Sequence, residues 1–276
     1  LAADNGDVDV MHYYASMNYN GDGIEVNKDE ASHYYKLAAD NGNAKSMYCY
    51  ASMNYNGDGI EVNKDEAIHY YKLATHKGDV SSMYNYAVML ESGDGIETNK
   101  AEAAHYYKLA ADNGDVNSMR NYAIMLNKGD GIEIDKNESA RYYKLAADKG
   151  DITSMYNYAV MLDNGDGIKT NKKKAAYYYK LAADKGDVGS MYNYAILLED
   201  GDGIEANNME AAHYYKLAAD KGDDDSLFNY VALLESGDII EKDMKEVAHY
   251  YKLAADKGDC RTRQYYTSLI NKMKLE

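Results

Sequence analysis

Apolar residues recur along this chain in two alternating helical patterns. In the stretch Asp79–Gly114, taken as a template, 100° steps place Ser82, Met83, Tyr86, Ala87 and Leu90 on one face. Ser81, Tyr84, Asn85 and Val88 fall on the opposite face. This predicts an amphipathic helix, A, capped by Asp79, whose side chain can accept the free amides of the first turn. Gly93 and Gly95 end it in a Gly-Asp-Gly-Ile loop, where glycine takes positive φ without steric cost. A second helix, B, opens at Asn99 with Glu102 completing a capping box. It turns Ala103, Tyr106, Tyr107 and Ala110 inward and His105 and Lys108 outward, with Leu109 on the flank. Gly114 stops it, and the next cap, Asp115, follows at once.

This unit repeats. Tyr-Tyr-Lys-Leu begins at Tyr34, Tyr70, Tyr106, Tyr142, Tyr178, Tyr214 and Tyr250, always 36 residues apart, and residues 15–31 are identical to 51–67. Every copy has Asp or Asn at the helix-A cap, from Asp7 to Asp259; the helix-B cap with Glu recurs in six of seven copies, Lys174 being the exception. One hairpin cannot bury its own apolar face, whereas stacked neighbours can. The expected fold is therefore all-α: an α/α solenoid of seven 36-residue helix-loop-helix repeats over residues 7–258, starting at 7, 43, 79, 115, 151, 187 and 223. Such a stack curls, giving a concave and a convex surface. Residues 1–6 match the tail of a preceding helix B, so further repeats are expected before them, in a longer protein. Residues 259–276 read as a closing helix in which Met273 and Leu275 replace the two stop glycines.

The pattern resembles the Sel1-like repeat family, relatives of the tetratricopeptide repeats. The matching elements are Ala67, Tyr70, Tyr71 and Ala74 of helix B with the following Gly78, Met83 to Ala87 of helix A, and Gly93, Gly95 and Ile96. The resemblance covers residues 7–258 and implies an adaptor role, for example in signalling or protein quality control. There are departures. Glu97 and its equivalents stand where many members carry proline, the disulfide that some secreted members carry in each repeat is absent, and Ile239 replaces a glycine in copy seven. A β-branched residue resists positive φ, so that loop is expected to take another shape.

Composition narrows the partners. The net charge is −16, spread along the chain, a field that repels phosphate backbones and anionic lipids. The end differs: Arg261, Arg263, Lys272 and Lys274 against Asp259 and Glu276 give +2. No apolar run is long enough to span a membrane. Zero prolines, where typical usage gives roughly 14, exclude proline-rich linkers, and 31 tyrosines stand against one phenylalanine. Cys49 and Cys260 are too far apart for a disulfide framework or a zinc motif, which points to a reducing, cytoplasmic compartment. The start of the chain, within a repeat and without an initiator methionine, leaves a signal peptide open.

Candidate chemistry is sparse. Asp163–Ile168 has the look of a calcium loop, but Ile168 follows Gly167 directly where the loop needs the apolar residue one place later. His33, His69, His105, His213 and His249 share one helix-B position, one per repeat, and so do not form an i,i+4 zinc pair. No Ser-His-Asp or Cys-His set and no phosphate loop is visible. The chain reads as non-catalytic, with no cofactor.

The informative surface is the outward face of helix A, expected to line the concave side. One position reads His12, Tyr48, Tyr84, Arg120, Tyr156, Tyr192, Phe228 and Gln264; the next reads Tyr13, Cys49, Asn85, Asn121, Asn157, Asn193 and Asn229. An aromatic stripe beside an amide ladder can hold an extended segment or helix of a protein partner. Alternatively, the asparagines bond neighbouring backbone and the pattern is structural. A second series, Leu37, Leu73, Leu109, Leu145, Leu181, Leu217 and Leu253, either packs on the adjacent repeat or forms a docking ridge. The expected function is an interaction scaffold with protein partners in a larger complex. A structural strut in a cytoskeletal or membrane-associated assembly, or a regulatory segment of a signalling protein such as a kinase, are the alternatives.

Overall fold

The computed structural model describes residues 7–236, 244–257 and 267. Among them are fourteen α-helices of 13 residues and no strand. The A helices are α1 (Val8–Asn20), α3 (Ala44–Asn56), α5 (Val80–Ser92), α7 (Val116–Lys128), α9 (Ile152–Asn164), α11 (Val188–Asp200) and α13 (Asp224–Ser236). The B helices are α2 (Lys28–Asp40), α4 (Lys64–His76), α6 (Lys100–Asp112), α8 (Lys136–Asp148), α10 (Lys172–Asp184), α12 (Asn208–Asp220) and α14 (Met244–Asp256). The chain forms two compact units, Leu1–Leu145 and Ala146–Glu276. In each, helices pack on their sequence neighbours, A on B and B on the next A.

The caps form as their residue types require. Asp79 accepts the Ser82 amide at 2.7 Å, and Asn99 accepts the Glu102 amide at 3.1 Å. The return half of the capping box differs. The Asn99 backbone N–H is already bound to the Leu90 carbonyl at 2.9 Å, so the Glu102 carboxylate accepts from the Asn99 side-chain amide instead, at 3.0 Å. Lys174 loses only this second bond, because Asn171 still accepts its backbone N–H at 3.0 Å.

The two loop glycines have different jobs. Gly93 sits at φ 74 and its N–H closes α5 on the Met89 carbonyl. Gly95, at φ +79, also lies against the preceding repeat: a Cβ there would be 2.8 Å from the Lys64 Cβ, at the start of α4. Its glycine is demanded by stacking as well as by φ.

Alanines at the helix crossings are fully buried, as at Ala87, Ala103 and Ala110, and let the helices approach closely. Between them a helix-A tyrosine meets the first helix-B tyrosine edge to face, Tyr86 on Tyr106 at 5.0 Å and Tyr158 on Tyr178 at 4.9 Å. The buried set exceeds the single stripe expected, since Met89, Ala104 and Ala111 are buried too. A helix packed between two neighbours hides a wider arc than one packed on a single partner.

Several of these rings have a polar reason to be tyrosine. The first helix-B tyrosine donates to the Asp that ends the preceding helix B: Tyr142 to Asp112 at 2.5 Å, Tyr178 to Asp148 at 2.9 Å, Tyr214 to Asp184 at 2.7 Å. The Gly-Asp-Gly aspartate makes a second clasp, with Asp94 accepting from Tyr55 at 2.7 Å and pairing with Lys64. These bonds hold the Asp94 carboxyl below the usual carboxylate range. Residues 1–6, the Ile239 loop and the closing helix over 259–276, with Met273 and Leu275, lie outside the described residues, except that Thr267 is helical and exposed.

Candidate interaction surface

The A helices carry the aromatic stripe on faces that are half-buried rather than open. Tyr48, Tyr84, Tyr156 and Tyr192 each lean on the second helix-B tyrosine of the same repeat, Tyr71, Tyr107, Tyr179 and Tyr215, all at 6.1 Å between centroids. Those supporting rings are buried, and burial raises their hydroxyl pKa values well above the ordinary range. Tyr107 and Tyr215 are fixed further by donating to Glu91 at 2.7 Å and Glu199 at 2.9 Å. Each stripe tyrosine is thus backed by a rigid ring and shows its remaining edge to solvent. Phe228 is half-buried in the same position, Arg120 contacts Asn117, and His12 bonds Ser46 Oγ at 2.9 Å. Burial pushes the His12 pKa down.

Asn85, Asn121, Asn157, Asn193 and Asn229 are half-buried beside the rings. Asn85 donates to the Ser81 carbonyl at 3.1 Å and Asn157 to the Thr153 carbonyl at 2.9 Å, one turn back in their own helices. The amides also lie near tyrosine hydroxyls of the preceding repeat: Asn85 near Tyr48, Asn121 near Tyr107, Asn229 near both Tyr192 and Tyr215. For Asn85 the bond to Ser81 engages the N–H side of the amide and leaves its carbonyl as the group a ligand can use. Local backbone bonding and a ligand-facing acceptor therefore coexist in one side chain.

Sequence reasoning missed one feature of this face. Where Cys49 stands in the asparagine position, a cavity of about 240 Å³ opens, lined by Tyr19, Tyr35, Tyr48, Ser52, Met53 and Asp58. The exchange of Asn for Cys was its only signal. Burial raises the Cys49 thiol pKa, which makes it a poor nucleophile.

The other candidates fall elsewhere. The helix-B histidines are exposed and edge-on to the following tyrosine, His105 to Tyr106 at 5.2 Å, and no group of three potential metal ligands occurs among the described residues. Leu37 and Leu109 pack partly on the core, while Leu73 and Leu145 are 36% and 37% exposed, so the leucine series sits at the core's rim. No helix among the described residues is long and apolar enough to cross a membrane.

Comparison with known proteins agrees with the repeat fold. The Sel1 repeat model matches residues 8–43, 44–79, 80–115, 116–151, 152–187, 188–223 and 229–259. A protective antigen of uropathogenic Escherichia coli strains, displaying an SLR fold, superposes with a TM-score of 0.87 at 23% identity, covering 98% of this chain. The chain spans 58% of the length of that structure. A Sel1 repeat protein from Oxalobacter formigenes has a TM-score of 0.63 at 25% identity, over 78% of this chain and 89% of its own. A search of curated proteins finds no match. With seven matched repeats covering most of its residues, the chain belongs to the Sel1 repeat family.

Proposed function

We propose that this chain is a non-catalytic scaffold that holds a segment of a protein partner along the outer face of its A helices. Sel1 repeat proteins generally mediate protein–protein interactions. The observation that carries the reading is the backed aromatic stripe. Tyr48, Tyr84, Tyr156 and Tyr192 repeat one ring per repeat, each half-exposed and each held by a buried tyrosine at 6.1 Å. A ring already fixed in place contributes contact area with little further loss of side-chain entropy on binding. Beside it, the asparagine series Asn85, Asn121, Asn157, Asn193 and Asn229 supplies acceptors for backbone amides of an extended segment.

The test is to replace Tyr84, Tyr156 and Tyr192 by alanine together and compare retained partners by pulldown with mass spectrometry. The helical signal should survive, because the helix-B rings stay in place, and the partner set of the parent chain should be lost. Full retention by a folded triple variant removes the A-helix face from the function.

A further inference from the structure

Helix α10 reverses the charge of its counterparts. Glu stands three residues after the cap in the other six B helices, and α2 and α4 add Asp29 and Asp65 beside it; α10 has Lys173 and Lys174 there, with Lys169 in the loop before. The exchange does nothing for the helix. A first turn favours anions over cations, and Lys174 cannot accept from the Asn171 amide as Glu102 does from Asn99. A local rule broken without structural gain points to function.

The lysines of this region separate into two groups. Lys172 is bound to Asp163 at 2.6 Å and Asp202 at 3.1 Å, and Lys180 to Glu210 at 3.0 Å, so both belong to the fold. Lys169, Lys173 and Lys174 are exposed and have no carboxylate partner among the described residues. Tyr177 completes the patch. It takes the position that is histidine in five copies, stands 59% exposed, and is held edge-on to Tyr178 at 5.1 Å. Lys173 and Lys174 are its i−4 and i−3 neighbours, which places cations and ring on one helix face.

We infer that this face of α10 docks an acidic segment of a partner protein: a short run of Asp or Glu followed by an apolar residue that lies on Tyr177. Charge complementarity selects the acid, and extent selects its length. Lys173 and Tyr177 are about 6 Å apart along the helix axis, Lys169 extends the patch beyond the helix start, and an extended chain advances about 3.3 Å per residue. The patch therefore spans about three or four residues. At physiological salt, charges beyond about 8 Å are screened, so a short acidic run responds mainly to these lysines. A nucleic-acid duplex or an anionic bilayer reaches past them onto acidic residues of the next repeat, such as Asp202 beside Lys172, and is repelled. The patch lies in the B layer and is independent of the A-helix face.

The experiment titrates the full chain into a fluorescein-labelled Glu-Glu-Glu-Glu-Leu peptide and follows anisotropy. Binding should saturate and weaken about tenfold between about 50 and 300 mM salt. It should fall at least tenfold in the double variant Lys173→Asp, Lys174→Glu, which carries the residues of α2 and α4 and so melts no lower than the parent. Tyr177→His should weaken it by a smaller factor, and the triple alanine variant of the A-helix stripe should bind the peptide normally. The inference is overturned by any of these results: no saturable peptide binding by the parent chain; equal binding by the double variant; or tighter, lysine-dependent binding of duplex DNA or phosphatidylserine vesicles. Self-association of the parent chain that the double variant abolishes also overturns it, in favour of a second copy.

Discussion

Gly95→Ala tests the idea that the loop glycines serve the stacking of repeats. At φ +79, alanine pays the left-handed penalty of about 1–2 kcal/mol. Its Cβ would also stand 2.8 Å from the Lys64 Cβ, about 1 Å inside ordinary carbon–carbon contact. That atom is anchored to the α4 backbone, so no rotamer change relieves the clash, and overpacking of this kind costs about 1–3 kcal/mol. The expected loss is about 2–5 kcal/mol. Gly78→Ala is the matched control, because φ there is +85 and an added Cβ meets nothing within 4 Å. It should cost only about 1–2 kcal/mol, and both variants change the unfolded chain alike. Urea unfolding followed by far-UV circular dichroism, analysed as a nearest-neighbour array, reads the difference. Equal losses in the two variants would refute the stacking role, leaving φ as the whole reason for the glycine. A larger loss at Gly95 locates the effect between copies two and three, where Asp94 also holds Tyr55 and Lys64.

Two further outcomes follow from the tyrosines. Tyr142→Phe removes a hydroxyl that donates to Asp112 at 2.5 Å and should cost about 1–2 kcal/mol, whereas Tyr177→Phe, on an exposed ring, should stay within about 0.5 kcal/mol; thermal melts of the two variants compare them. Burial raises Tyr86, Tyr143 and Tyr194 to about 12, against about 10 in an unfolded chain. Their folded values lie above the unfolded one, so the stability they contribute is complete below about pH 10 and is lost as pH rises through about 12. Tyrosinate absorbance should therefore show a late step that coincides with loss of helical signal, and a single step near pH 10 with the helices intact would contradict the burial.

Much of the fold was legible because it rests on neighbours in the chain. Asp79 capping Ser82, Gly93 closing on Met89 and the Met83, Tyr86, Ala87 stripe all act within four residues, and a repeat of 36 shows each of them seven times over. The candidate surface was legible only as a list of outward positions. A helical wheel gives direction without distance, so it could not say that Tyr84 rests on Tyr107, that the Tyr107 hydroxyl is bound to Glu91, or that a cavity lies beside Cys49. The α10 lysines were visible as the broken capping box at Lys174, but separating Lys172, which is paired, from Lys173, which is not, needed the structure.

The amino-acid pattern by itself determined helix type, length, caps and period, because these depend on contacts between residues close in sequence. Tertiary structure decided which hydroxyls, amides and glycines join one repeat to the next. Bonds such as Tyr142 to Asp112, 30 residues apart, and Tyr55 to Asp94, 39 apart, exist only once two hairpins lie side by side. At these positions that is also the reason for tyrosine in place of phenylalanine. Either ring fills the core, and only the hydroxyl can meet the aspartate of a neighbouring repeat, as Tyr142 does at Asp112.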